Sequence, residues 1–240
     1  MLTARRVDRL HELAGELTAG GGRALALACD VTVDGDLERA VAAARDAFRR
    51  LDVVVANAGF GVMGPVEALS LDDYRRQLET NVFGVVRTAH ATLAELKKSR
   101  GRFVIIGSVS GHVGVPGSSA YSMSKFAVHG FAASLRHEMA PHGVAVTLIS
   151  PGFVDSEIRR VDNRGVLRDD ADDPVPGWLR VATPVAARDI VRAVARRRRE
   201  AVITGHGRIT VFLQRHVPAL VDWVVRRSGV RSRGEPPPTT

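Results

Sequence analysis

The sequence is poor in residues that would staple or anchor a chain. Its single cysteine, Cys29, excludes an internal disulfide and a Cys-rich zinc site and fits a reducing compartment. No apolar run approaches the ~20 residues that cross a bilayer, and Met1-Leu-Thr-Ala-Arg-Arg does not make a signal peptide. The expectation is a soluble, cytoplasmic protein. Lysine is scarce too: of 34 basic residues only Lys97, Lys98 and Lys125 are lysines. That bias, with abundant Ala and Val, points to a GC-rich bacterial genome and makes each surviving lysine conspicuous. Acidic residues are outnumbered, giving a net charge of +8, but the imbalance is local. Residues 1–185 balance 22 Lys or Arg against 22 Asp or Glu, whereas residues 186–240 hold 12 against 4. The main domain is neutral and carries no recognised nucleic-acid motif, so no nucleic-acid partner is expected.

What is present is a chain of 240 residues, 45% hydrophobic, long enough to bury a core without disulfide or metal. Helix-period and strand-like segments alternate. Val7, Leu10, Ala14 and Leu17 share a helical face, and Arg23 to Cys29 reads as a short strand. Leu37, Val41, Ala44 and Phe48 form a second stripe, followed by the β-branched Asp52-Val-Val-Val-Ala56, the kind of strand buried in parallel sheets. Ser70 can cap one long helix running through Leu71, Leu78, Val85 and Leu96, with a strand at Arg102 to Gly107. Residues 121–140 are helical, 144–149 a strand, and Thr183-Pro184 a cap and first turn of a helix to about Arg198. Such alternation predicts an α/β fold with a doubly wound parallel sheet.

Two segments break the pattern. Residues 151–182, with an acidic run at Asp169 to Asp173, read as a lid. The tail from Gly229, ending Glu-Pro-Pro-Pro-Thr-Thr, reads as disordered. Between the last predicted helix and that tail, Ile209 to Leu213 and Val217 to Val225, followed by Arg226-Arg227, make an apolar, aromatic segment with a basic edge. It could cover the domain, lie peripherally on an anionic membrane surface through residues 209–227, or pack in a dimer. The first is the preferred reading. Arg196 to Arg199 reads as a solvated helix end rather than a phosphate site.

The chemistry concentrates between Ser108 and Lys125. Tyr121 and Lys125, four apart on a predicted helix, share a face. A neighbouring ammonium favours the phenolate and so lowers a tyrosine pKa from about 10. Ser108 ends a strand thirteen residues earlier, where parallel sheets bind their ligands.

Val104-Ile-Ile-Gly-Ser108 through Ala120-Tyr121-Ser-Met-Ser-Lys125 resembles the active-site segment of the short-chain dehydrogenase/reductase family. Asn57-Ala58-Gly59, Asn81 in Thr80-Asn81-Val-Phe-Gly84, Asp30 in Cys-Asp-Val-Thr and Pro151-Gly152-Phe-Val154-Asp-Ser156 resemble further family motifs, in the family's order. The resemblance implies a Rossmann-like domain over residues 1–205, followed by an amphipathic helical extension over 206–228 and the tail 229–240. It implies hydride transfer between a nicotinamide and an alcohol or carbonyl carbon of an apolar small molecule, in a protein that is often a homo-oligomer. Tyr121 would be the general acid, Ser108 would hydrogen-bond the substrate oxygen, Lys125 would lower the tyrosine pKa and hold the nicotinamide ribose, and Asn81 would hold a water. Asp30 would meet adenine; Asn57, Ala58 and Gly59, with Pro151 and Gly152, would border the cofactor, and Val154 and Ser156 would meet the carboxamide. Ser156 stands where the family commonly has Thr, and the hydroxyl is preserved.

Thr3-Ala4-Arg5-Arg6 resembles the end of the family's second strand. NAD-preferring members carry an Asp there, whereas Ala4 followed by Arg5 suits a 2′-phosphate, so NADP(H) is expected over NAD(H). No metal is expected. The family's first strand and its Gly-rich phosphate turn would precede Leu2, and neither is in the sequence. Two readings stay open: a start displaced from the natural one, or an N-terminally truncated product, a non-catalytic remnant or binding protein. Gly59-Phe-Gly61-Val-Met-Gly64 matches G-x-G-x-x-G, but Pro65 and a loop follow it where a helix should begin. It reads as a loop beside the substrate, with Phe60 and Met63 as wall residues. His112 could face substrate or be solvated.

Overall fold

A computed structural model describes residues 1–168, 173 and 175–227. The disordered-tail expectation and most of the acidic run from Asp169 lie outside the described residues. Parallel strands alternate with helices as expected: β1 (Leu2–Ala4), α1 (Val7–Ala19), β2 (Ala26–Ala28), α2 (Asp36–Phe48), β3 (Val53–Ala56), α3 (Leu71–Leu78), α4 (Gly84–Ser99), β4 (Arg102–Ile106), α5 (Ser119–Met139), β5 (Ala145–Ser150), α6 (Thr183–Ala195), β6 (Glu200–Val202), α7 (Gly205–His216) and α8 (Pro218–Arg227).

Strand side chains alternate between faces, and β4 shows why helices cover both. Phe103 and Ile105 pack with Val85, Ala89 and Leu96 of α4 and Val128, Ala132 and Leu135 of α5. Val104 points the other way, into a cluster with Ile149 of β5, Ala186, Ala193 and Val194 of α6, and Ile203. β3, β4, β5 and β6 form one parallel sheet in that order, with Val53 opposite Arg102, Arg102 opposite Ala145 and Leu148 opposite Glu200.

β1 and β2 pair in parallel as a separate sheet, Leu2 opposite Ala26. The two sheets are not bonded to each other, and a cleft of about 1110 Å³ is lined by Leu2 to Arg6 on one side and Val53 to Phe60 on the other. The expectation that Asp52 to Ala56 is a buried strand is therefore corrected. Val54 and Ala56 pack on the core, but the opposite face opens on the cleft, leaving Val53 and Val55 41% and 49% exposed.

Three further boundaries differ from the sequence reading. Ser70 caps α3 through a capping box with Asp73, yet the single long helix is broken by a π-helical turn over Glu79–Phe83 that turns Asn81 into the protein. The helix α6 starts at Thr183 with Ala182 as its N-cap, and the Thr183 hydroxyl donates to Asp155 O instead of capping. The strand β6 was not predicted, because three residues carry too little pattern.

The described residues of 151–182 are irregular, with 3-10 turns at Glu157–Arg160 and Gly177–Leu179 and a bridge between Val154 and Val181. The C-terminal extension is two helices. Thr204 caps α7, and Val211 and Val221 are buried, while Ile209, Phe212 and Trp223 remain more than half exposed. Among the described residues no helix is long and apolar enough to cross a membrane.

Candidate active site

The strand β4 ends at Ile106, and Gly107 donates its N–H to Ile149 O, which aims the following loop outward at the carboxyl end of the sheet. Ser108 is fully extended there, and its hydroxyl accepts from Ser110 N at 3.1 Å. The first turn of α5 presents Tyr121 and the next presents Lys125, so the predicted i,i+4 pair is realised on one helix. The Lys125 ammonium lies 5.6 Å from the centre of the Tyr121 ring and donates to Ile106 O at 2.9 Å. That bond ties α5 to the end of the strand bearing Ser108.

The electrostatics depart from expectation. Burial lowers the Lys125 pKa to about 8. Burial also pushes the Tyr121 phenol up, against opposing pulls from a hydrogen bond with Ser108 and the charge of Arg159. The lowering expected from Lys125 is not among the forces on this phenol, and desolvation, which penalises both charged forms, dominates. Within the protein alone, Tyr121 is a proton donor, the form needed to protonate an oxygen.

Asn81 is buried beneath the loop 59–64. Its Nδ2 donates to Phe60 O at 3.0 Å and Ser124 Oγ at 3.1 Å, and its Oδ1 accepts from Phe60 N at 3.1 Å. Here the amide secures the loop and α5. Sequence reasoning missed Gln77, which is fully buried, accepts from Val62 N at 2.6 Å and donates to Phe60 O at 2.8 Å. A polar residue on the inward stripe of an amphipathic helix was the available signal. Gly59 to Gly64 is a loop followed by a 3-10 turn at Val66–Ala68, as the sequence suggested. Phe60 lines the cleft and also packs with Val62 and Ala120 in a small core. Met63 is held by Asn163, which donates to its carbonyl at 2.8 Å and accepts from its N–H at 2.9 Å.

Arg5, Asp30, Asn57, Ala58 and Gly59 all line the cleft. The Asp30 carboxylate accepts from both Thr32 N and Thr32 Oγ1. Pro151, Gly152, Val154 and Ser156 follow β5. Pro151 O accepts from Val109 N, and Val154 O accepts from Arg159. Gly152 is required sterically, since a Cβ there would overlap Thr204 and His206. Ser156 precedes the turn at Glu157–Arg160 without capping it, and Glu157 pairs with Arg6 and Arg9 across the cleft mouth at 2.9 and 2.7 Å. His112 follows the Val109–Gly111 turn in the loop after Ser108, and it is not solvated: its side chain is 8% exposed and packs against His129.

The model of the short chain dehydrogenase family matches residues 1–166. The 11-beta-hydroxysteroid dehydrogenase A of Sesamum indicum is 30% identical over 243 residues, covering 98% of this chain and 70% of the relative. Another curated relative, 35% identical over 156 residues, is covered over 56% of its own length. An alcohol dehydrogenase from Thermococcus sibiricus, solved with 5-hydroxy-NADP, superposes with a TM-score of 0.71 at 25% identity, over 84% of this chain and 83% of that one. A short chain dehydrogenase/reductase from Burkholderia phymatum, solved with NAD, shares the fold with a TM-score of 0.79 at 21% identity, over 100% of this chain and 88% of that one.

Proposed function

The chain belongs to the short chain dehydrogenase family, and from that premise we propose that it is an NADP(H)-dependent oxidoreductase interconverting an alcohol and a carbonyl group on an apolar small molecule. The observation that carries this reading is the meeting of Ser108, Tyr121 and Lys125 at the carboxyl end of β4, with the phenol in its protonated form. The hydroxysteroid named for the sesame relative is an apolar alcohol, in keeping with that substrate class.

Residues of the chain fit a dinucleotide. The buried Lys125 ammonium has three N–H donors, one of them directed to Ile106 O, which leaves donors for a ribose hydroxyl. The cleft of about 1110 Å³ is lined by Asn57 to Gly59 together with Arg5 and Asp30. When bound, the nicotinamide supplies or accepts the hydride. For reduction, Ser108 Oγ would donate a hydrogen bond to the substrate carbonyl oxygen, and Tyr121 Oη would give its proton to that oxygen. The phenolate left behind lies beside the Lys125 ammonium, whose charge stabilises it. Oxidation runs the same transfers in reverse.

Arg5, with Ala4 in place of an acidic residue, favours a 2′-phosphate over a bare ribose. The neighbours solved with a nicotinamide ligand carry either form, 5-hydroxy-NADP in one and NAD in the other. A homo-oligomer is part of the same reading, with the exposed Ile209, Phe212 and Trp223 as a face that association would cover. A non-catalytic binding role, in which the cleft holds a ligand without turnover, is the rival.

The deciding assay follows NADPH and NADH consumption with a panel of hydrophobic ketones and aldehydes. Turnover favouring NADPH is expected. Saturable cofactor binding with no turnover on any carbonyl would leave the binding role standing instead.

A further inference from the structure

Behind the Ser108 loop, four elements bring polar side chains to one point. His112 comes from the loop after β4, His129 from α5 one turn beyond Lys125, Ser150 from the end of β5 and Glu200 from the start of β6. The ligand atoms of His112, His129 and Glu200 all lie within 4.8 Å of one another. His112 Nε2 is 3.2 Å from Glu200 Oε1 and 3.2 Å from Ser150 Oγ, and Ser150 Oγ is 3.5 Å from His129 Nε2. We propose that His112, His129 and Glu200 are the ligands of a zinc ion that staples the Ser108 loop to α5 and β6.

Zinc takes two imidazole nitrogens and a carboxylate at 2.0–2.2 Å, and a tetrahedron of that size has edges of about 3.4 Å. The observed 3.2 Å between His112 and Glu200 is already such an edge, and His129, within 4.8 Å of both, closes the triangle with a side-chain shift of at most about 1.4 Å. Ser150 Oγ supplies a fourth polar atom around the same centre. Arg215 of α7 bonds the Glu200 carboxylate at 3.2–3.3 Å and orients it from outside. Its charge, like that of Lys125, opposes the dication and weakens the site.

The backbone is built closely around the cluster. A Cβ at Gly111 would meet His129 Nε2 at 2.7 Å, and one at Gly107 would meet it at 3.4 Å. These glycines flank Ser108, so a metal on His129 and His112 would fix the serine's loop against the helix that carries Tyr121 and Lys125. The inference concerns a structural site and does not depend on the proposed reaction.

The test uses the full chain stripped of metal with a chelator and titrated with Zn²⁺ by calorimetry, alongside thermal melts. One equivalent should bind saturably and raise the melting temperature, and His129→Gln and Glu200→Gln should each weaken binding at least tenfold. These variants keep hydrogen-bonding groups, so a mere hydrogen-bonded cluster would tolerate them. Cobalt substitution of the unaltered chain gives a readout independent of variant folding: intense visible bands of four-coordinate Co²⁺ are expected. Absence of stoichiometric zinc uptake, binding unchanged in folded variants, or only the weak bands of six-coordinate cobalt overturns the proposal.

Discussion

At the scale of single residues, the site is governed by the cost of burying charge. The Lys125 ammonium would be more easily deprotonated than a surface lysine, at about 8, and Tyr121 holds its proton more tightly than a free phenol. The tyrosine is therefore stored as an acid, and the charge created when it gives up its proton is placed beside Lys125. Replacing Tyr121 with Phe removes the donor without much change of shape. Turnover is expected to fall by about 10²–10⁴-fold, while NADPH affinity, read by fluorescence titration, stays within about twofold because no bond of the buried Lys125 ammonium is lost. Retained turnover would remove Tyr121 from the mechanism. Gln77 matters for a different reason. It satisfies Val62 N and Phe60 O beneath the loop, and although Asn81 also reaches Phe60 O, the Val62 N–H has no second partner among the hydrogen bonds described. Gln77→Ala should cost ~1–3 kcal/mol, measured as a lower urea midpoint with unchanged slope.

At the scale of elements, the described residues of 151–182 combine apolar contacts of Val154, Val161 and Val181 with a group of ion pairs. Arg159 donates to both oxygens of Asp173 at 2.7 and 2.6 Å, and Arg180 bridges Asp173 and Asp155 at 3.3 and 3.2 Å. The Arg159 guanidinium, helped by the Val175 N–H, holds the Asp173 carboxyl down at about 2. An unfolded Asp titrates at about 3.9. Since the folded pKa is the lower, the stabilisation is complete above about pH 4 and is lost as pH falls toward 2. Hydrogen exchange in residues 155–181 should therefore accelerate between pH 4 and 2 beyond the intrinsic rate. Asp173→Asn should exchange quickly at neutral pH and lose that pH dependence. If the parent shows no such change, the pair does not hold the segment.

At the scale of the whole molecule, the dominant feature is the interruption between β1 and β3. A strand edge with unbonded N–H and C=O groups templates pairing with another chain, and β3 adds the exposed Val53 and Val55 beside its edge. Concentration-dependent association is expected in static light scattering. Val55→Lys should suppress it, since a charge beside an edge disfavours stacking, while the β3–β4 pairing, made by backbone, persists. A parent protein that stays monodisperse at high concentration would mean that the edges are too twisted or too recessed to pair.

The sequence by itself determined the parts that depend on near neighbours. Short apolar, β-branched runs located β2 to β5 and period-3.6 stripes most of the helices, Ser70 marked the start of α3, and the spacing of Tyr121 and Lys125 placed them on one face. Tertiary structure decided whatever depends on distant segments meeting. The turn at Asn81 breaks an otherwise continuous helical stripe because the amide bonds with Phe60 and Ser124, 21 and 43 residues away. The three-residue strand β6 exists through its pairing with β5. The Tyr121 phenol is raised by burial, which no spacing rule contains. The gathering of His112, His129, Ser150 and Glu200 likewise joins four elements whose side chains carry no shared local pattern, so only the packing of α5 and the order of the strands bring them together.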